Sequence, residues 1–296
     1  MRGFNLPAGV TMDVNHEAGA SIAVQNAHGM GRVSIRGGQV LGWQPHNQSP
    51  VLWLSPGAVF APGKSIRGGI PICWPWFGSH PSEPLKQSHG FARNRDWRLE
   101  GVQNVGDATF ISLTLPAHNH DQEHWPHGSR PTLNVVMADT LSLRLSITNI
   151  DAAPINISQA FHTYFNISDI GAIRVAGLDG AGFYDKVSDT NENQQSGDVS
   201  FEGELDRIYR HSEGEIELID PGLKRSILIN QTGGNSIVVW NPWIEKAGNL
   251  GDMGPPASYR SMVCVETGSV GDGTILLEPD ATHTLETTIA VKPHPA

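Results

Sequence analysis

The sequence predicts an all-β fold, a large antiparallel β-sandwich, and three observations support this prediction. Segments in which apolar and polar residues alternate occur along the whole 296-residue chain, and such alternation is typical of half-buried strands. Glycine (33 residues) and proline (20 residues) are frequent and scattered, as many short strands joined by tight turns require. No long segment has the 3.6-residue period of a helix that could connect parallel strands, so the sheets should be mainly antiparallel.

Strands are predicted wherever the alternation is strict or partial. It is strict or nearly strict at residues 111–115, 141–147 and 285–291. Weaker β patterns occur at residues 21–25, 32–36, 51–54, 97–102, 173–176, 215–219, 226–229, 236–240 and 262–266. Because one open sheet rarely holds this many strands, two stacked sheets with an apolar layer between them are expected. A short helix is predicted at residues 244–250, and surface loops at residues 79–88 and 118–130.

The chain is expected to form a single domain over residues 1–296, because large β-sandwiches reach this length without dividing. Its formal net charge of -10 disfavours binding to nucleic acid or to an anionic membrane surface. No apolar run approaches the ~18 residues of a membrane span. The expected partners therefore include no nucleic acid and no membrane, and an anionic ligand would need a local cluster of arginines.

The cysteines and the first residues of the chain bear on its compartment. Cys73 and Cys264 lie in separate apolar segments rather than in a spaced framework, so both are expected to be reduced thiols. The chain begins without a cleavable apolar segment of the kind that directs secretion. A cytoplasmic protein is therefore expected. A monomer is expected as well, because no apolar strand edge is left over.

Four segments carry polar residues where an ordinary strand would be apolar. The first, residues 66–78, has Arg67 at its head, two adjacent glycines that permit close backbone approach, and a tryptophan-rich run whose flat faces suit a sugar ring. In the second, residues 88–97, His89 and Arg93 are four residues apart. Taken alone, the first segment could be a core hairpin with an exposed arginine, and the histidine could be structural.

The third and fourth segments are apolar strands that contain an ionisable residue. His162 lies in an aromatic stretch, where an uncharged imidazole needs either a hydrogen-bond partner or a functional role. Glu266 follows an apolar run, where a carboxylate must be paired or have a raised pKa. The alternatives are a satisfied core histidine and a strand-end carboxylate in solvent. Asp206 is a weaker candidate, because an Asp-Arg step is commonly a surface pair.

Together these segments resemble the aldose 1-epimerase family, and within it the branch of hexose-6-phosphate mutarotases. The resemblance rests on the order and spacing of its segments within residues 35–290, almost the whole chain. The matching segments are residues 66–78, 89–93, 161–165, 206–209, 239–243 with 245–246, and 262–266. The resemblance implies a large β-sandwich, sometimes called a supersandwich, with the substrate on an open concave face.

The resemblance also implies roles for individual residues. Glu266 corresponds to the general base of the family and His162 to its general acid. His89 corresponds to a second histidine that contacts the sugar, and Asp206 to an aspartate that binds sugar hydroxyls. Glu266 and His162 are expected to face each other across a shallow, sugar-sized hollow, with the guanidinium groups of Arg67 and Arg93 at its rim.

A further set of residues is implied to bind the rest of the substrate. Arg67 and Arg93 resemble the two arginines that hold the 6-phosphate, a group that arginine binds in bidentate fashion. The branch often has a polar residue directly before the first histidine of this region. Here Gln87 and Ser88 both precede His89, so either could contact the substrate, and the register favours Ser88.

The implied reaction interconverts the α and β anomers of a hexose 6-phosphate, and the implied substrate is glucose 6-phosphate. It needs no cofactor, metal or nucleotide, because one group that takes a proton and one that gives a proton are sufficient. The pair must hold opposite protonation states, with Glu266 ionised and His162 protonated. A bell-shaped dependence of activity on pH is therefore expected.

Three other functions remain open from the sequence. A mutarotase for free hexoses would share the acid and the base but would need no arginine pair. A metal enzyme of the cupin type is suggested by His118 and His120 followed by Glu123, since such a set can bind iron or zinc, although a solvated loop explains them as well. A non-catalytic sugar-binding module could use a stacking platform of four tryptophans, Trp74, Trp76, Trp240 and Trp243.

Overall fold

The computed structural model describes residues 5–80, 82–83, 86–121, 123, 125–210 and 214–293. These residues form one α-helix, α1 (Trp243–Asn249), and 22 strands. In chain order the strands are β1 (Val10–Asp13), β2 (Ser21–Gln25), β3 (Gly29–Ser34), β4 (Val40–Pro45), β5 (Ile72–Cys73), β6 (Arg98–Val105), β7 (Ala108–Thr114), β8 (Ser129–Met137), β9 (Leu141–Asn149), β10 (Ile155–Ile157), β11 (Gln159–Phe161), β12 (Tyr164–Asn166), β13 (Arg174–Ala176), β14 (Gly182–Asp185), β15 (Thr190–Gln194), β16 (Leu205–Arg210), β17 (Ile216–Asp220), β18 (Arg225–Thr232), β19 (Ser236–Asn241), β20 (Met262–Ser269), β21 (Ile275–Leu277) and β22 (Thr282–Pro293).

Two eight-stranded sheets dominate the fold. The front sheet has the order β15-β14-β16-β19-β20-β11-β5, and β12 also pairs with β20. The back sheet has the order β13-β17-β18-β22-β9-β8-β7-β6. A four-stranded sheet, β1 to β4, and the β10–β21 pair complete the described part of the chain. Every pairing between these strands is antiparallel, which confirms the predicted all-β sandwich.

The back sheet follows directly from the alternation in the sequence. In β9 the apolar residues Leu141, Leu143, Leu145 and Ile147 are fully buried, while the residues between them face outward or are half-buried. The same pattern occurs in β8, which lies beside β9 in the sheet, and in β7, the next strand after β8. Because side chains alternate between the two faces of a strand, a shift of one residue would expose the whole apolar set, and the register is therefore strongly specified.

The main hydrophobic core joins residues from both sheets. It includes Leu145 of the back sheet, Phe161 and Val265 of the front sheet, and Ile22 of the four-stranded sheet. Each such side chain, when fully buried, contributes roughly 1.5–3 kcal/mol to folding. Strand β20 of the front sheet is buried at all eight of its positions, so its second face is also covered. That second face carries Glu266, because successive side chains point to opposite sides.

Most predicted elements are confirmed, with shifts of a few residues at their ends. The strictly alternating segments lie in β7, β9 and β22, and the predicted helix at 244–250 is α1 at Trp243–Asn249. The weaker pattern at 51–54 is wrong as a strand, because only isolated bridges form there, from Leu52 to Phe165 and from Leu54 to Gly68.

The predicted loops are largely confirmed in the residues that are described. Residues 79–80, 82–83 and 86–88 form no strand or helix. The region 118–130 overlaps a turn of 3₁₀-helix at Ala117–Asn119 and ends in β8, which already begins at Ser129. His124 of this region lies outside the described residues. No helix in the described ranges is long and apolar enough to cross a membrane.

Candidate active site

A cavity of about 370 Å³ opens on the second face of the front sheet, the face that carries Glu266. Its volume lies within the range of small-molecule sites, about 300–1,000 Å³. Every site residue that the sequence predicted lines this cavity: Arg67, Ser88, His89, Arg93, His162, Asp206 and Glu266. Larger hollows of about 700 and 600 Å³ lie elsewhere on the molecule, but they contain neither His162 nor Glu266.

Strand register places His162 against Glu266. Strands β11 and β12 both pair with β20, and Phe161 lies opposite Thr267 while Tyr164 lies opposite Cys264. The two pairings share one antiparallel register, so His162, in the short break between β11 and β12, lies opposite Glu266. The Nε2 atom of His162 is 3.3 Å from Oε1 of Glu266. The two residues are therefore direct cross-strand neighbours, although 104 positions (266 − 162) separate them in the sequence.

Burial decides the protonation of this pair in the unliganded cavity. Glu266 is only 1% exposed and His162 only 8%. Burial raises the pKa of the Glu266 carboxyl well above its usual range, and the negative charge of Asp206 adds to this effect. Burial lowers the pKa of His162 well below its usual range, and the positive charges of Arg93 and Arg67 add to that effect. Burial therefore favours the neutral form of each group in the cavity before substrate binds.

Aromatic rings fix the orientation of the His162 imidazole. The ring of Tyr164 stacks on it, with centroids 4.8 Å apart and planes inclined by 7°. His89 and Trp240 approach it edge-on, at 5.6 and 6.0 Å between centroids. The Nδ1 atom of His162 and the Oε2 atom of Glu266 are buried without a hydrogen-bond partner. Such unpaired buried atoms are costly, and they are typical of a site that a ligand completes.

Arg67 reaches the cavity from a loop that glycines allow to pass close to β4. Gly69, with φ of +60°, leaves no room for a side chain, because a Cβ atom there would lie 2.2 Å from the carbonyl oxygen of Val40. The Nε atom of Arg67 donates to Oδ1 of Asp252 at 2.6 Å. Its Nη1 atom donates to the hydroxyl of Tyr164 at 3.2 Å. The guanidinium is thus held by two partners at the cavity wall.

Arg93 stands near Arg67 at the boundary between two hollows. A second hollow of about 490 Å³ shares Arg67, Arg93 and Tyr164 with the cavity that contains His162 and Glu266. The Nη2 atom of Arg93 donates to the carbonyl oxygen of Ser88 at 2.7 Å, while its Nε atom is buried without a partner. Two guanidinium groups therefore line a continuous space that begins at the His162–Glu266 pair.

The loop before Arg93 takes a left-handed backbone that positions His89. Both His89 (φ 63°) and Gly90 (φ 70°) have positive φ, and a Cβ atom at Gly90 would lie 1.9 Å from the carbonyl oxygen of Trp74. Gln87 stabilises this loop, because its amide donates to the Gly90 carbonyl and accepts from Asn94, both at 2.7 Å. Ser88 lines the cavity. The side chain of Gln87 is thus engaged within the loop, whereas Ser88 is the one of the two that lines the cavity.

Asp206 is buried rather than a surface residue. It is 8% exposed and forms an ion pair with Lys186, whose Nζ atom lies 2.9 Å from Oδ2. Its sequence neighbour Arg207 pairs with Asp185 instead, at 3.0 Å. The alternative, a surface pair between Asp206 and Arg207, is therefore not formed, because adjacent residues of β16 point to opposite faces of the sheet.

Three polar residues that line the cavity were not predicted from the sequence: Tyr164, Lys186 and Lys246. A signal existed for Tyr164, because it lies two positions after His162 and so on the same face of the chain. Lys186 follows β14 in an irregular segment, and nothing in its neighbourhood distinguishes it from an ordinary surface lysine. Its partner Asp206 lies 20 residues away.

The residues behind the metal and stacking alternatives lie mostly outside this cavity. His120 is buried against the aromatic rings of Trp74 and Phe91. Within the described ranges, the one group of three metal-donor residues close enough to share an ion is His162, Cys264 and Glu266, with donor atoms within 4.8 Å of one another. Of the four tryptophans, Trp240 lines the cavity, and the set therefore does not form a common platform there.

Comparison with known proteins agrees with this geometry. The model of the aldose 1-epimerase family matches residues 21–290. A protein of Cenchrus ciliaris, named "Putative glucose-6-phosphate 1-epimerase", is 37% identical over 257 residues, which cover 83% of this chain and 77% of that protein. A protein of Escherichia coli (strain K12) with the same name is 34% identical over 235 residues, or 79% of this chain and 78% of that protein.

A solved structure extends the match to almost the whole fold. The crystal structure of a "putative mutarotase" from Salmonella typhimurium superposes with a TM-score of 0.90 and 28% sequence identity, and it covers 99% of this chain and 96% of that one. A galactose mutarotase-like protein of Clostridium acetobutylicum, at 12% identity and a TM-score of 0.71, shares the fold. The chain belongs to the aldose 1-epimerase family.

Proposed function

We propose that the chain is a glucose-6-phosphate 1-epimerase, a mutarotase that interconverts the α and β anomers of a hexose 6-phosphate. One observation carries the proposal: the His162–Glu266 pair lies in the same cavity as two guanidinium groups, those of Arg67 and Arg93. The pair supplies the acid–base chemistry, and the guanidinium groups supply a site for a phosphate. The names of the two relatives support the same substrate.

The reaction needs two proton transfers on one sugar. A base removes the proton of the anomeric hydroxyl, an acid protonates the ring oxygen, and the ring opens to the aldehyde. After rotation about the C1–C2 bond the C5 hydroxyl adds to the other face of the carbonyl, and both proton transfers run in reverse: the group that acted as the acid takes back the proton of that hydroxyl, and the group that acted as the base returns a proton to the anomeric oxygen. We assign the base to Glu266 and the acid to His162, which exchange a proton across their 3.3 Å contact. Each such transfer is worth about 10²- to 10⁴-fold in rate.

The phosphate of the substrate also acts on the acid. The positive charges of Arg93 and Arg67 contribute to the lowered pKa of His162 in the unliganded cavity. A phosphate with nearly two negative charges offsets those charges when it binds, so it raises the pKa of His162. Substrate binding therefore favours the protonated imidazole, the form in which His162 can donate a proton to the ring oxygen.

The other predicted residues bind the substrate. Arg67 and Arg93 hold the 6-phosphate, because forked guanidinium donors match its oxygens. His89 and Ser88 contact the sugar from the loop before Arg93. Asp206 accepts hydrogen bonds from sugar hydroxyls at the opposite wall of the cavity.

The substrate preference is tested by measuring anomerisation of glucose 6-phosphate and of glucose side by side. We expect a kcat/KM at least tenfold higher for glucose 6-phosphate, because the arginine contacts exist only for the phosphorylated sugar. Equal values for the two sugars would instead favour a mutarotase for free hexoses. Binding of both sugars without anomerisation of either would favour a non-catalytic sugar-binding protein.

The pH dependence of kcat follows from the coupled pair. The active complex holds one proton on His162 and Glu266 together, so activity falls at low pH when the pair gains a second proton and at high pH when it loses the one it has. In the unliganded protein burial disfavours a proton on His162, so the acidic limb of kcat/KM, which reports the free protein, should lie below the ordinary histidine value of 6.5. The two apparent pKa values belong to the pair. A flat profile between pH 4 and pH 10, roughly the range spanned by ordinary side chains, would contradict this pair.

We also propose that the protein is a single-domain monomer of the cytoplasm. One hydrophobic core joins both large sheets, which supports a single domain. Cys73 and Cys264 are buried free thiols, which suits a reducing compartment. Sedimentation equilibrium tests the monomer, and a mass of two chains would contradict it.

A further inference from the structure

We propose that Lys186 is a positioning residue of this site, an inference that rests on the proposed mutarotase function. Its ammonium group holds Asp206 and offsets the negative charge of that carboxylate, so that Glu266 can ionise when the sugar is bound. Neither the motifs of the sequence nor the names of the relatives point to this lysine. The geometry of the front sheet does.

Lys186 is tied to Asp206 by both its main chain and its side chain. The main-chain nitrogen of Lys186 donates to the carbonyl oxygen of Asp206 at 2.8 Å, and its Nζ atom lies 2.9 Å from Oδ2 of the same residue. The side chain of Asp206 is 11% exposed and that of Lys186 is 33% exposed. The pair is therefore partly withdrawn from water, where a charge–charge contact is stronger than on an open surface.

Asp206 acts on Glu266 from two strands away. Strands β16, β19 and β20 are adjacent, and Asp206 lies opposite Trp240, which in turn lies opposite Cys264. The ionisable groups near Glu266 on the surrounding elements are His162, Tyr164, Cys73, Cys264, Asp206, Lys186 and Arg93. After burial itself, the charge of Asp206 is the main cause of the raised pKa of Glu266, and Lys186 acts in the opposite direction.

Removal of the lysine therefore has a predictable sign. Without the ammonium group, Asp206 presents an uncompensated negative charge to a buried carboxyl, which then holds its proton to higher pH. His162 also becomes easier to protonate, because Lys186 is one of the cations that lower its pKa. Both limbs of the pH profile should move in the same direction, to higher pH.

A second lysine of the cavity provides a matched control. Lys246 also lines the cavity, but its Nζ atom pairs with Glu204 at 2.6 Å rather than with Asp206. Replacement of either lysine by methionine removes one positive charge from the same cavity and keeps most of the side-chain volume. The partner carboxylate is what differs between the two.

The test compares Lys186→Met, Lys186→Arg and Lys246→Met by the pH dependence of kcat for glucose 6-phosphate. We expect Lys186→Met to lose about tenfold in kcat near neutral pH and to shift both limbs to higher pH. Lys186→Arg should restore the wild-type profile, because its guanidinium can still pair with Asp206. Lys246→Met should keep both limbs where they are in the wild type. Thermal melting of each variant confirms that it is folded.

Several outcomes would overturn the inference. If Lys186→Met lowers kcat but leaves both limbs unmoved, the lysine has only a structural role. A shift of equal size in Lys246→Met would mean that any positive charge in the cavity has this effect on the pH profile. The specific role of the Lys186–Asp206 pair would then be excluded. Absence of anomerisation by the wild-type protein would overturn the proposed function itself, a result that differs from an unmoved profile in an active enzyme.

Discussion

Replacement of Glu266 by glutamine should abolish catalysed anomerisation while hexose 6-phosphate still binds. Glutamine keeps the size of the side chain but can neither take nor release a proton at neutral pH. The loss of one proton transfer is worth about 10²- to 10⁴-fold in kcat. The phosphate contacts do not involve this residue, so the dissociation constant of glucose 6-phosphate should change much less. Anomer exchange measured by NMR and binding measured by calorimetry separate the two effects.

A buried carboxylate elsewhere in the fold provides the control for this substitution. Asp220 is fully buried and accepts a hydrogen bond from the main-chain nitrogen of Ser168, outside the cavity. Asp220→Asn makes the same chemical change, and it should lower the melting temperature but leave kcat unchanged in the folded protein. If Glu266→Gln kept wild-type turnover, or if both variants lost turnover equally, Glu266 would not be the catalytic base.

The back sheet is predictable from the sequence because its strands are apolar on one face and polar on the other. One face of β9 packs in the core and the other faces outward, so the alternation of apolar and polar residues directly predicts a strand there. The opposite case is β15, which has no buried residue and lies at the edge of the front sheet. Its sequence, Thr-Asn-Glu-Asn-Gln, has no apolar alternation to detect. Polar edge strands protect a sheet from further pairing, and the same polarity hides them from pattern analysis.

The acid and the base of the candidate site are predictable from the sequence, but the residues that hold the site in place are not. Glu266 and His162 are conspicuous because burial of an ionisable group in an apolar strand is costly without a purpose. Their contact depends on the register of β11 and β12 with β20, which local patterns do not specify. Asp252, which holds Arg67, is 185 positions from it in the chain. Such partners become visible only when the fold brings distant loops together.

The protonation of the pair illustrates the same limit. Sequence reasoning assigned charges from the needs of the reaction, with an ionised Glu266 and a protonated His162. The fold buries both groups, and burial favours the neutral form of each. The degree of burial depends on side chains from several strands, so it follows from the packing of the whole sheet rather than from either local segment.

Arg67→Ala should weaken the binding of glucose 6-phosphate by about 10- to 100-fold and leave the binding of glucose nearly unchanged. A hydrogen bond to a charged group contributes about 1.5–3 kcal/mol, and each 1.4 kcal/mol is a factor of ten in affinity. The substitution also leaves Asp252 without its guanidinium partner at 2.6 Å. The freed carboxylate repels the phosphate, which adds to the loss. Calorimetric titration of both sugars measures the difference.

Two further variants separate the loss of the Arg67–phosphate contact from the effect of the freed Asp252 carboxylate. In the double variant Arg67→Ala with Asp252→Asn, the repelling carboxylate is absent, so part of the lost affinity for glucose 6-phosphate should return. Arg260→Ala removes an exposed arginine that pairs with Asp169 at 2.6 Å, and it should affect neither sugar. Equal losses for glucose and glucose 6-phosphate in Arg67→Ala would remove the phosphate assignment, because a contact to phosphate cannot weaken the binding of a sugar that has none.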